Sequence, residues 1–297
     1  MKPILRILAG LLALCSALLA LPAQAAGALG PAALRARHAS LAAQLTDNAF
    51  GAQLLLQSEE ASKRIEGDVY AVLDHPMAVV AGSLADPGRW CDIMILHLNT
   101  KQCRRLREGD GTKLEVHVGT KHEQSLSSAT GLVFAWQPPQ QRADYLAAEM
   151  KAPDGPYDTR DYRLLVEAVP LDAGRTFMHM SYALSYGGAS QFAMKLYLAT
   201  IGHDKVGFTL AKPTPPGGEP TYVDGMRGVV ERNTMRYYLA IRCYLDSLAL
   251  PPGQQADQRF AAWFDATEKY PRQLHEVDRD AYLRMKRNEY RRQLAEK

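Results

Sequence analysis

Residues 223–245 read VDGMRGVVERNTMRYYLAIRCYL, and no proline interrupts the stretch before Pro251-Pro252. Thr221-Tyr222-Val223-Asp224 has the S/T-x-x-D/E form of a helix-capping box, so one helix is expected from there to Leu248. At 1.5 Å per residue it would be about 40 Å long. Residues placed 100° apart put Met226, Val229, Val230, Asn233, Tyr237, Ala240, Ile241, Tyr244 and Leu248 on one stripe, with Arg227, Glu231, Arg242 and Asp246 opposite. So apolar a face cannot stand alone in water and needs a sheet to cover it.

The preceding chain supplies strands. Residues 53–56 and 65–73 are strand-like, the second alternating Val69, Ala71 and Leu73 against Tyr70 and Val72, with a polar turn at 58–63 between them. Asp74-His75-Pro76 ends that strand, because proline offers no N–H and biases the residue before it away from helix. Two short helices fit residues 77–84 and 87–94. Period-two segments follow at 97–105 and 112–122, joined by Glu108-Gly109-Asp110-Gly111, a hairpin signal. More strands are expected at 131–136, 162–169 and 175–186. The Pro- and Gln-rich residues 138–161 read as a loop or short-helix insertion. Residues 189–201 lean helix, 205–211 (KVGFTLA) lean strand, and 213–220 read as a linker. Residues 31–45 suit an amphipathic helix with Pro at its first turn, and 254–270 and 271–297 suit two more.

This order of elements, with the texture of IEGDVYAVLDHP, KVGFTLA and the long helix, resembles the helix-grip fold of the START-like (SRPBCC) superfamily. The resemblance implies an α+β fold in which a curved antiparallel sheet wraps a long C-terminal helix, flanked by extra helices at both ends. It also implies an elongated cavity between sheet and helix where a hydrophobic molecule or lipid is held. The expected organisation is a signal peptide over 1–25, an N-terminal helix and leading strand over 26–62, the helix-grip domain over 63–250 and a helical extension over 251–297.

Composition agrees with an ordinary globular chain: 297 residues, 47% hydrophobic and 23% charged. The beginning differs from the rest. Lys2 and Arg6 precede an apolar run over residues 7–21, then Pro22 and Ala23-Gln24-Ala25, the pattern of a secretory leader cut after Ala25 and of a periplasmic protein. Loss of those two cations takes Lys+Arg from 35 to 33 against 32 Asp+Glu, leaving a charge of +1 and no argument for nucleic acid. Export makes a disulfide reasonable. Cys91 and Cys103 are the natural pair, with Cys243 left free, against the alternative of three buried thiols.

Catalytic and metal signatures are absent from the sequence: no G-x-S-x-G, P-loop, G-x-G-x-x-G, C-x-x-C or H-E-x-x-H. No metal or cofactor is expected, and binding is expected over catalysis. The strand at 175–186 offers Met178, Met180, Tyr182, Leu184 and Tyr186 on one face and Phe177, His179, Ser181, Ala183 and Ser185 on the other. Methionine adapts to irregular apolar ligands and tyrosine adds a hydroxyl. The candidate ligand-binding set is therefore Trp136, Met178, Met180, Tyr182, Tyr186, Asn233, Tyr237 and Tyr244, each with the plainer alternative of being core. Asn233 and Tyr237 stand out because they interrupt the stripe that must face the sheet. His117 and His179 are the general-base candidates if the chain is a cyclase- or hydrolase-type enzyme. A third reading is an envelope interaction module whose C-terminal helices dock a partner. The mixed-charge run 279–292 reads as a solvated helix face, or more sharply as a patch for an anionic membrane surface.

Overall fold

The computed structural model describes residues 27–109, 111–189, 205–214 and 217–295. The expected leader and nearly all of the segment at 189–201 lie outside those residues. Two adjoining strands, β1 (Leu54–Ala61) and β2 (Arg64–Leu73), form a hairpin turned at Ser62-Lys63, both with positive φ. The polar residues 58–61 are thus strand, and the turn is only two residues long.

Helices α1 (Pro31–Thr46), α2 (Met77–Leu84) and α3 (Pro87–Met94) follow the sequence pattern. Asp86 caps α3 by accepting from the Gly88 amide at 2.8 Å. Strands β3 (Thr100–Glu108), β4 (Gly111–Val118) and β5 (Thr130–Trp136) form the next meander. Where an insertion is expected, the chain instead makes β6 (Gln140–Arg142) and β7 (Tyr145–Asp154). The alanine-rich YLAAEMKA has little intrinsic strand preference; pairing with β8 (Thr159–Pro170), Leu146 opposite Ala168 and Met150 opposite Leu164, imposes the extended form. β9 (Thr176–Tyr186) completes the described sheet, ordered β1-β2-β9-β8-β7-β5-β4-β3 with β6 beside β7, all antiparallel.

The long helix is α4 (Gly225–Ser247), 23 residues or about 34 Å. The capping box does not form: Asp224 is the N-cap without a side-chain bond, and residues 221–223 pair instead with 207–211, through a bridge of Tyr222 with Leu210 and backbone bonds from Gly207 to Val223, Val223 to Thr209 and Ala211 to Thr221. α4 lies against the inner face of the sheet, closest at Gly67, where an added Cβ would collide with Thr234 Oγ1 and come within 2.9 Å of Val230 Cγ1. Its far side is covered as well, by α5 (Pro252–Thr267) and α6 (Pro271–Leu274), with α7 (Arg279–Ala295) packed on α5 and on β3. Trp263 Nε1 donates to the Arg236 carbonyl and the Tyr282 hydroxyl to the Leu96 carbonyl. This makes the sheet an α+β helix-grip with helices on both flanks.

Part of the outward face read from the pattern is covered by β1 and the segment around Phe208. Glu231 is fully buried, accepting from the Ser58 hydroxyl and from the amides of Phe208 (2.6 Å) and Thr209 (2.9 Å). Likewise, the charged run of α7 is not simply solvated. Lys286, Glu289 and Gln293 are buried, with Lys286 donating to the carbonyls of His97 and Thr100 and both Lys286 and Lys101 pairing with Glu289. Cys91 and Cys103 are joined in a disulfide between α3 and β3, and Cys243 is a buried thiol.

The outer face of the sheet carries a second small core. Leu34, Leu41 and Leu45 of α1 pack on Tyr70, Tyr145, Ala147, Val169 and Phe177. Beside it His179, which is buried, bonds Asp68 at 2.7 Å and Glu167 at 3.2 Å. Glu167 also accepts from the Tyr145 hydroxyl (2.6 Å) and the Gly30 amide (3.1 Å).

Candidate functional site

One-residue steps around α4 decide what its sheet side offers. Val230 and Thr234 sit on Gly67 of β2, whereas Asn233 and Tyr237 turn toward β9 and the end of α3. Tyr237 meets the Tyr182 ring at 5.4 Å and the His97 ring at 5.0 Å, and Tyr182 meets Tyr162 at 6.3 Å. The Asn233 side chain stands beside both the Tyr182 hydroxyl and the His97 imidazole, near enough to act on each. Met226, Val229, Asn233 and Tyr237, one per turn, are part-exposed along a helix whose neighbouring Val230, Met235, Ala240 and Ile241 are completely buried. Trp136, whose ring lies 6.2 Å from Trp90, is part-exposed too.

The other expected ligand-binding residues do not join this group. Met178 and Met180 are wholly enclosed in the main core. The Tyr186 hydroxyl donates to Glu60. Tyr244 accepts from Arg89 at 3.2 Å and its ring lies under the Arg259 guanidinium, 4.3 Å from it. These contacts engage both tyrosines structurally.

His97 was not among the histidines singled out from the sequence. Its Nδ1 accepts from the Asn99 amide at 3.2 Å, which assigns the proton of the neutral ring to Nε2, and Nε2 is buried without a hydrogen bond of regular geometry. Burial, and then the charges of Arg236 and Lys286, hold this imidazole well below its ordinary range, so it is neutral. Burial likewise pushes the hydroxyls of Tyr182 and Tyr237 up, so both stay protonated. Only the spacing of His97 after α3 could have flagged it, since its surroundings come from α4 and α7.

The two histidines that were singled out lie elsewhere. His179 is on the outer face in the array with Asp68 and Glu167. His117 is half-buried on β4, opposite Gly131. Among the described residues no group of three His, Cys, Asp or Glu is placed to hold a metal, and no helix is long and apolar enough to cross a membrane.

No family model matches the chain, and no curated protein does. Solved structures with partial likeness include human StAR-related lipid transfer protein 5 (8% identity, covering 73% of this chain and 96% of that one, TM-score 0.36). Others are a conserved protein from Geobacillus kaustophilus (14%, 61% and 95%, 0.37) and the Zhui aromatase/cyclase from Streptomyces sp. R1128 (17%, 46% and 70%, 0.30). Likenesses of this strength carry no inference about ligand or reaction.

Proposed function

We propose that the chain is an exported protein that binds a hydrophobic, lipid-like molecule between α4 and the sheet, with one polar group of that molecule at His97, Tyr182, Asn233 and Tyr237. The observation that carries this reading is the part-exposed stripe Met226–Val229–Asn233–Tyr237 running beside the completely buried Val230, Met235, Ala240 and Ile241. Apolar walls with a few convergent polar groups are the usual make-up of a small-molecule site. A neutral Nε2–H and two protonated tyrosine hydroxyls offer donors, so the polar group they suit is a carbonyl or hydroxyl oxygen rather than a cation.

The same protonation states argue against the cyclase or hydrolase alternative. A general base works best with a pKa near the operating pH, whereas this imidazole is held low and its tyrosine neighbours are held high. Export is supported by the leader pattern ending at Ala25 and by the Cys91–Cys103 disulfide. N-terminal sequencing of the secreted chain should read from Ala26. Delivery to a membrane would use the exposed Arg284, Arg287 and Arg291 of α7, which suit an anionic surface.

Native mass spectrometry of the secreted protein should show a bound lipid-like mass released by organic solvent. Tyr237→Trp should lower its occupancy at least tenfold while shifting the urea midpoint little. A wild-type chain that carries no such mass, and takes none from phosphatidylglycerol vesicles, sinks the reading.

A further inference from the structure

The face of the sheet turned away from α4 holds an open groove of about 630 Å³, a volume suited to a small organic molecule. Arg64, Glu149, Lys151 and Arg163 line it, with Gln137 and Gln140 at its side. Arg163 is 5% exposed. Its Nε donates to Glu149 at 2.6 Å and its Nη1 stands 3.5 Å from Glu66, yet neither Nη1 nor Nη2 donates a hydrogen bond. Arg64 Nε is also buried without a partner. Buried donors are nearly always paired, and a charged one left unpaired is costly.

Strand register adds an independent sign. Lys151 of β7 is directly opposite Arg163 of β8, and like charges in directly opposed positions destabilise a sheet. Glu149 is shared between them, 2.9 Å from Lys151, and burial of this carboxylate is outweighed by those two partners, which hold its pKa down. Glu66 accepts from the Ser181 hydroxyl, and Asp161 at the rim is 3.8 Å from Arg160. Arg64, Lys151 and Arg163 thus stand with Glu66, Glu149 and the rim Asp161, a balanced set of charges, and what the groove leaves unfilled is the Nη1 and Nη2 donors of Arg163 and the Nε of Arg64. An oxyanion would accept from the free guanidinium nitrogens and relieve the opposed pair, since the guanidinium fork matches carboxylate or phosphate oxygens.

We propose that this outer groove is a second binding site, distinct from the interior one, for a small molecule bearing a carboxylate or phosphate, with Arg163 as its anchor and Arg64 and Lys151 at its edges. Titration calorimetry on the full secreted chain, at constant ionic strength, tests it with inorganic phosphate, pyrophosphate and succinate as probes. Saturable binding of at least one is expected; the phosphate arms against the succinate arm tell which oxyanion is preferred. Arg163→Lys, which keeps the charge and loses the fork, should weaken binding at least tenfold. Lys151→Gln, at an exposed side chain, should weaken it about threefold and covers the case in which Arg163→Lys does not fold. Tyr237→Trp should leave it unchanged, so failure of the interior reading does not touch this one. No saturable heat with any probe, affinity unaffected by both groove variants, or loss of binding in Tyr237→Trp would overturn the proposal.

Discussion

Single buried charges set much of this protein's chemistry, and His179 is the one whose titration can be followed. Burial alone would lower its pKa, but hydrogen bonds to Asp68 and Glu167 outweigh burial and raise it above 6.5. A raised folded-state pKa means that the charged ring stabilises the fold fully below pH 6.5, and that this contribution is lost as pH climbs through the folded value. Urea midpoints measured from pH 6 to 8 should therefore fall, and the fall should be shallower in His179→Asn. A slope identical in the variant would remove His179 from that role. Strand alternation correctly put His179 on the face opposite Met178 and Met180, but the array needs Asp68 from β2 and Glu167 from β8, and no spacing in the chain brings those together. His97 is the sharper case: a single histidine after a short helix is held neutral first by burial and then by Arg236 and Lys286, which arrive from distant helices.

At the level of elements, the contact of α4 with the sheet depends on Gly67. Because an added Cβ would collide with Thr234 and Val230, Gly67→Ala should push helix and sheet apart and cost about 1–3 kcal/mol in chemical denaturation, the usual range for overpacking a core. An unchanged midpoint would mean the interface yields without strain. Strands β2, β5, β8 and β9 and helices α1 to α3 were legible because their apolar periods and proline breaks are local signals. β6 and β7 were not, since their residues carry little strand signal and pairing holds them extended, β7 between β8 and β5 and β6 against β7. The start of α4 was misplaced for the converse reason. Thr221 has the right spacing for a cap, but Tyr222 is drawn into a bridge with Leu210 and the helix begins at Gly225.

Across the molecule, the C-terminal helices are bound into the same structure as the sheet. Lys101 and Lys286 are completely buried against Glu289, and Gln293 accepts from the Cys103 amide at 2.9 Å. Burial brings the Lys286 ammonium down to about 8 even with Glu289 beside it. Removing α7 would take away the Glu289 counter-charge and the cover over Lys101 together, and would open to water the side of β3 on which α7 packs. A chain truncated after Leu248 should therefore lose its cooperative thermal transition. If it melts as sharply as the full chain, the extension is an appendage.

Local grammar was readable in the chain unaided: the antiparallel hairpins, the two short helices after Pro76, the long amphipathic helix and the pairing of Cys91 with Cys103. These follow from periodicity, proline and glycine, and short separations along the chain. Which polar groups are buried, and against what, was settled by long-range packing. It enclosed Glu231 and Lys286, sent Met178 and Met180 into the core, gathered His97 with Tyr182, Asn233 and Tyr237, and opposed Lys151 to Arg163. Those outcomes rest on contacts between residues far apart in the chain, where desolvation and pairing outweigh any preference a residue expresses alone.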